Sequence, residues 1–314
     1  MPHLAIASAM ALTVLLATNA DAQWLKYPTP GIPRIRAAIA QQGRGAGQGP
    51  PVLTVERLRD NLYVLRSGPR ANSGVFIGER GVVIVDVRGG WGQPLRNAIG
   101  KLTPKPITTI INTHSHQGHV TGNPEGFAPT VEIVAHDAAT ARMRLMPVFA
   151  QSNGRGLPTR TFNERLTLAT GSDRVELYHF GTGHTDGDAW VVFPSARTLY
   201  VDIFPGPELP LLDPDTGASG IAMPATLERG IATLGDSVDT VITGHGPVMA
   251  MRDLREFAAF NREFLETVQA AKRAGRSVDD IAAPWKLPAR WAHYATPTPE
   301  RVRANVEVIF AETP

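Results

Sequence analysis

From Leu53 onward the chain alternates short apolar, β-branched runs with Gly, Pro and polar punctuation, the pattern of strands bounded by turns. Strands are expected at 53–58, 62–66, 74–77 and 82–87, with Ser67-Gly68-Pro69-Arg70 and Gly78-Glu79-Arg80-Gly81 as hairpin turns. An antiparallel sheet therefore opens the domain. After Gly89-Gly90 the period lengthens, predicting a helix from Gln93 to Leu102 that ends before Pro104, then a strand at 107–112. A strand at 131–135 feeds a helix at 137–145. The second half repeats the order, with strands at 174–180, 189–193, 198–203 and 240–243 and a helix at 225–234. Two β-rich halves that each acquire helices suggest an α/β fold with two sheets face to face and helices outside. Past Arg252 the periodic positions Leu254, Phe257, Phe260, Phe264, Val268 and Ala271 predict a helical C-terminal extension, its phenylalanines reading as a packing face.

The ends of the chain divide differently. Residues 1–22 read as a signal peptide, with an apolar stretch from Leu4 to Thr18 and the small-residue site Ala20-Asp21-Ala22 before Gln23. The stretch is shorter than the roughly 20 residues a membrane span needs, so the expectation is a periplasmic or secreted protein without stable membrane insertion after cleavage. Residues 23–51, rich in Gly, Pro and Gln, have too little apolar surface to offset the entropy of ordering and read as a flexible leader. The main domain is then 52–250 and the helical extension 251–314.

Composition narrows the partners. At 314 residues, 43% hydrophobic and 19% charged, the chain is of the ordinary globular class. A formal charge of +2, without a dense basic run, gives nothing to track a phosphate backbone, so the expected partner is a small-molecule substrate and not nucleic acid. The absence of Cys excludes disulfides and thiolate metal ligands.

The chemistry lies in Thr113-His114-Ser115-His116-Gln117-Gly118-His119, three imidazoles directly after an apolar strand. On an extended segment side chains alternate, so His114 and His116 project the same way, while a turn at Gln117-Gly118 swings His119 to a neighbouring position. A metal of this type needs three or four ligands. His184 and His245, each beside a glycine, and Asp202, after the apolar Leu199-Tyr200-Val201, are placed to supply the rest.

In this order, His-x-His-x-x-His, Gly-His-Thr, Val-Asp-Ile-Phe and Gly-His-Gly, the chain resembles the metallo-β-lactamase-fold hydrolase superfamily over residues 53 to 250. Asn112-Thr113-His114, Gly122-Asn123 and Ala135-His136-Asp137 also resemble its secreted members. The resemblance implies a four-layer αβ/βα sandwich and a zinc centre. His114, His116 and His184 would hold a first metal, His119 and His245 a second, and Asp202 would bridge them. It also implies hydrolysis, a metal-bound hydroxide attacking an acyl carbonyl of lactam, lactone or ester type. Gly118 departs from the family pattern, standing where His-x-His-x-Asp-His has its Asp. That removes a carboxylate from the second position and the expected orienting group, leaving no certain protein general base. One or two zinc ions are expected, the second weakened, and iron or manganese suits the same donors. A different class of function remains open, a degenerate, non-catalytic metal- or ligand-binding protein on the same scaffold.

Around this set, Asp86, Gln117 and Asp188 are candidates to orient or supplement the ligands. His136 and His179 read as structural, and Asp186 and Asp188 read by default as loop caps, with one of them as an alternative partner for the His184 ring proton. The segments 143–163 and 204–219 read as loops that shape the pocket.

Overall fold

A computed structural model of the chain describes residues 52–68 and 71–314. The expected signal peptide at 1–22, the leader at 23–51 and Pro69-Arg70 of the first hairpin turn lie outside the described residues. The first sheet runs, in order, β1 (Thr54–Arg57), β2 (Leu62–Arg66), β3 (Ser73–Ile77), β4 (Val82–Val85), β5 (Ile107–Ile111), β6 (Glu132–His136) and β7 (Arg160–Phe162). Its first four strands are antiparallel neighbours, as expected, and from β4 to β7 the pairing is parallel. The second sheet has the order β13 (Val248–Ala250), β12 (Thr240–Thr243), β11 (Thr198–Val201), β10 (Trp190–Phe193), β9 (Val175–Tyr178) and β8 (Arg165–Leu168). Only its β11–β12 pair is parallel.

Strand periodicity explains why the two sheets stack. Successive side chains point to opposite faces. Leu62, Val64, Phe76, Val85, Ile111 and Val134 of the first sheet meet Leu177, Val191, Phe193, Tyr200 and Ile242 of the second in one buried cluster. Their neighbours face the other way. Leu65, Val75, Ile84, Ile110 and Ile133 pack under Trp91, Leu95 and Ile99, of which the last two lie on the helix α1 (Gly92–Leu102). Trp190, Val192, Leu199, Val201 and Val241 pack under the opposite helical layer. Sheets buried on both faces need almost unbroken apolar strands, which is why runs such as Val82-Val83-Ile84-Val85 and Trp190-Val191-Val192-Phe193 lack a polar alternation. The result is helix, sheet, sheet, helix.

The outer layer on the second sheet is built by α5 (Ala222–Leu234), α6 (Met251–Arg273) and α8 (Pro299–Glu312), through Met223, Leu227 and Ile231, then Leu254, Phe257 and Phe260, then Val302, Val306 and Ile309. The C-terminal helices therefore share one core with the second sheet. The small helices α2 (Gln117–Val120), α3 (Asp137–Met143) and α4 (Pro147–Gln151) meet in a separate buried cluster of Val120, Met143 and Phe149, and α7 (Val278–Ala282) precedes α8.

Three strands were not expected from the sequence. β7 and α4 fall inside the segment 143–163 read as a loop, and β8 and β13 follow short polar or Pro-containing turns. β7 and β8 carry exposed Arg160 and Arg165 and hold only three or four residues, the form of edge strands protected from further pairing. Such strands lack the apolar run that a periodicity reading detects.

A buried hydrogen bond ties the sheets near their strand ends: the Tyr200 hydroxyl donates to the Asn72 carbonyl at 2.7 Å. Tyr200→Phe leaves that carbonyl facing the core, and a loss of about 1–3 kcal/mol of stability is expected. Urea unfolding checks this, an unchanged midpoint counting against a structural role for the bond.

Candidate metal centre

The named side chains are brought together by strand ends. β5 delivers Thr113 and His114, α2 carries His119, the loop after β9 carries His184, β11 ends at Asp202, and β12 ends at Gly244-His245. Backbone bonds lock these ends. Asn112 N–H donates to Val134 C=O at 2.9 Å, Ala189 N–H to Thr113 C=O at 2.7 Å across the sheets, and Asn72 N–H to Gly244 C=O at 2.8 Å. Gly244 is dictated by Asp202: a Cβ there would fall 0.9 Å from Asp202 Oδ1.

Asp202 sits at the middle of the constellation. Its Oδ2 lies 3.4 Å from His114 Nε2, 3.5 Å from His119 Nε2 and 3.7 Å from His184 Nε2, and its Oδ1 lies 3.9 Å from His245 Nε2. Two triads, His114–His116–His184 and His114–His119–Asp202, each present ligand atoms within 4.8 Å of one another. The six sequence-predicted ligands thus converge.

Four of the five rings commit one nitrogen to a fixed acceptor and turn the other inward. His119 Nδ1 donates to Asp86 Oδ2 at 2.8 Å. His114 Nδ1 lies 2.9 Å from Thr113 Oγ1, whose hydroxyl in turn donates to Asp86 Oδ2 at 2.7 Å, so one carboxylate orients two imidazoles. Asp86 also accepts from Thr113 N–H at 2.8 Å, and it holds a left-handed φ of 63° to reach all three donors. His116 Nε2 is 3.1 Å from Thr216 Oγ1 and 3.6 Å from Asp213 Oδ2. His184 Nδ1 donates to Leu211 C=O at 2.9 Å.

With those protons assigned, the lone pairs of His114 Nε2 and His116 Nδ1 face each other at 2.9 Å, and the His119 Nε2 lone pair meets His245 Nε2 at 3.2 Å. Both Asp202 oxygens are buried without a hydrogen-bond partner among the described residues. A bare carboxylate and opposed lone pairs at 2.9 Å are costly unless a cation lies among them, so this donor set fits a divalent metal.

Electrostatics agree for His114, His184 and Asp202. Burial, reinforced by the neighbouring imidazoles, pushes His114 well below the usual histidine range, and burial together with His116 brings His184 down to about 3. Both are thus neutral, the form that ligates. Burial raises the Asp202 carboxyl, but His119, His245, His184 and His116 outweigh it and hold it below the ordinary value. His119 runs the other way: burial acts downward, but the carboxylates of Asp202 and Asp86 more than reverse it and favour the charged ring, so a metal there would displace a proton. His245 keeps 37% of its side chain exposed against 1–2% for His114 and His119, so the cage opens on the His245 side.

Other expectations divide. Asp86 contacts a ligand ring, whereas Gln117 is exposed. Asp188 does not take the His184 proton. Its oxygens accept from Thr185 N–H at 3.0 Å and Thr185 Oγ1 at 2.6 Å, closing the loop that carries His184, and burial lifts its carboxyl to about 7. Asp186 clasps Arg142 at 2.6 Å. His136 caps α3 by accepting from Ala138 N–H and donates to Asn163 C=O, and it stacks on His179 at 4.0 Å, outside the cage. Sequence reasoning missed Leu211, Asp213 and Thr216, which lie in the segment 204–219 and act through a backbone carbonyl and a turn that no spacing rule marks.

Residues 67–245 match the family profile of the Metallo-beta-lactamase superfamily. The 2,4-dinitroanisole O-demethylase subunit alpha of Nocardioides sp. (strain JS1661) is 30% identical over 241 residues, 74% of this chain and 69% of that protein. The metallo-beta-lactamase type 2 of Elizabethkingia meningoseptica is 27% identical over 164 residues, 49% of this chain and 62% of that protein. Among solved structures, a stereoselective inverting sec-alkylsulfatase from Pseudomonas sp. superposes with a TM-score of 0.64 at 16% identity, covering 92% of this chain and 54% of that one.

Because His184 has a lower pKa folded than unfolded, it contributes stability that is present above about 6.5, the unfolded value, and is lost as pH falls toward 3. The metal-free protein is expected to lose urea resistance across that window, and His184→Asn to lose it less steeply. Equal slopes for the two proteins would contradict the buried neutral ring.

Proposed function

The chain belongs to the metallo-beta-lactamase superfamily, and on that footing we propose that it is a metal-dependent hydrolase using zinc and cleaving an acyl bond of lactam, lactone or ester type. The observation that carries this reading is the Asp202 carboxylate, buried and unpartnered among four imidazole nitrogens at 3.4–3.9 Å. In the assignment it supports, His114 Nε2, His116 Nδ1 and His184 Nε2 would hold a first ion. His119 and His245, whose Nε2 atoms lie 3.5 and 3.9 Å from Asp202 oxygens, would serve a second position together with Asp202. A bound divalent ion supplies Lewis acidity, lowering the pKa of water to about 7 and polarising a scissile carbonyl. Iron or manganese suits these donors as well.

The chain's own residues do the rest. Asp86 and Thr113 fix the His114 and His119 rings, Thr216 and Asp213 fix His116, and the Leu211 carbonyl fixes His184, so the donors need no reorganisation on binding. Asp202 balances the charge of the centre. Access is on the His245 side, where a small substrate meets the donors. Export to the periplasm or beyond is part of the proposal and rests on the sequence of residues 1–22. Among the described residues no helix is long and apolar enough to cross a membrane.

A second reading, hydrolysis of an activated aryl ether, is favoured by one observation, the 30% identity to the 2,4-dinitroanisole O-demethylase subunit alpha. Zinc titrated into metal-free protein, with turnover followed on lactam, lactone, ester and nitroaryl methyl ether probes, separates the readings. Zinc-dependent turnover of an acyl probe is expected. Turnover of the ether alone selects the second reading, and bound zinc without turnover on any probe selects a non-catalytic binding protein. His116→Ala is expected to weaken zinc by more than the roughly 10–100-fold that an outer partner costs; unchanged affinity would remove His116 from the centre.

A further inference from the structure

Position 118 is where this chain parts from the family pattern, and its surroundings are specific. Gly118 lies in α2, next to His119, and its φ is not in the left-handed region, so the backbone there accepts any residue. A Cβ built on it would meet one atom within 4 Å, Arg88 Nη1 at 3.7 Å. Packing therefore does not demand the glycine. Arg88 comes from the loop that follows β4, two residues after Asp86, and the space a carboxylate at 118 would enter is the space its guanidinium borders.

We propose that the Arg88 guanidinium stands in for a second metal ion, so that the centre holds one tightly bound divalent cation and a fixed monocation beside position 118, next to His119. The inference rests on the metal-centre reading above. Its charge logic is simple. The second position has two imidazoles and a share of one carboxylate, Asp202, because Asp86 is already committed to Thr113 and the far side of the His119 ring. A guanidinium stays protonated at every accessible pH, so it repels a second dication permanently.

A consequence follows that a missing ligand alone would not produce. The carboxylate introduced by Gly118→Asp would arrive beside Arg88 and pair with it through a charge-assisted bond, and would be withheld from the metal. Restoring the acid therefore restores the second site only when Arg88 is also removed.

The test is a competition titration with zinc and a chromophoric chelator on the full chain and on Arg88→Gln, Arg88→Lys, Gly118→Asp and the double variant Arg88→Gln with Gly118→Asp. Wild type should bind one zinc tightly and a second at least ~100-fold more weakly. Gly118→Asp alone should tighten the second by less than ~5-fold, Arg88→Gln by ~10-fold, and the double variant by ~100-fold or more, beyond the product of the two. Arg88→Lys, which keeps the charge, should behave like wild type. First-site affinity should stay within ~3-fold in every protein that binds. If Gly118→Asp alone gives the full gain whatever stands at 88, or Arg88→Lys behaves like Arg88→Gln, the role of Arg88 is overturned while the metal centre stands. If no variant and no wild-type protein binds even one zinc, the metal centre itself fails, and this inference with it.

Discussion

A carboxylate taken out of water with nothing to accept from is among the most costly groups a protein can bury, and the organisation of this molecule around Asp202 follows from meeting that cost. Neither oxygen has a hydrogen-bond partner among the described residues, yet four imidazoles surround it and hold its pKa below the ordinary value despite burial. The arrangement forces the backbone: Gly244 must lack a side chain because Asp202 Oδ1 already occupies that space. It also requires that the ends of β5, β11 and β12, from two different sheets, meet at one point. The bonds from Ala189 to Thr113 and from Asn72 to Gly244 secure that meeting.

The layered core is what makes such convergence possible. Strands buried on both faces have no freedom to slip in register, since a one-residue shift would exchange the inter-sheet set of Ile111, Tyr200 and Ile242 for the outer set of Ile110, Leu199 and Val241. Side chains just past the strand ends inherit that rigidity. The ligand rings are then oriented by groups that are themselves anchored: Asp86 by its bonds to Thr113, and the Leu211 carbonyl by a loop whose Leu209 and Leu212 are buried in the outer core. Placing the chemistry at strand ends separates it from the stabilising core, which allows a superfamily to vary the reaction on one scaffold.

Much of this was legible in the chain. Long β-branched runs such as 82–87 and 107–112 are unambiguous by period and punctuation, and the amphipathic stripe through Leu254, Phe257 and Phe264 marks the C-terminal helix. The histidine spacing exposed the centre because ligands at i and i+2 on an extended segment share a side. What escaped detection has a common physical character. The edge strands β7 and β13 owe their conformation to a neighbour and not to their own sequence. Leu211 acts through a backbone atom that every residue possesses. Thr216 and Arg88 come to the centre from 100 residues after His116 and 30 before Gly118, and only the fold sets those distances to zero. Of the two readings for the acids near His184, loop capping, the one favoured from the sequence, is what Asp188 does, because it is nearer in sequence to Thr185 and a local turn outcompetes a longer reach.

The central claim is that these inward-facing nitrogens surround a cation. A crystal of zinc-loaded protein measured across the zinc absorption edge tests it directly. The account predicts an anomalous peak at about 2.0–2.1 Å from His114 Nε2, His116 Nδ1 and His184 Nε2. An anomalous map with no peak among those three atoms, or with zinc only at the exposed His293, would contradict it.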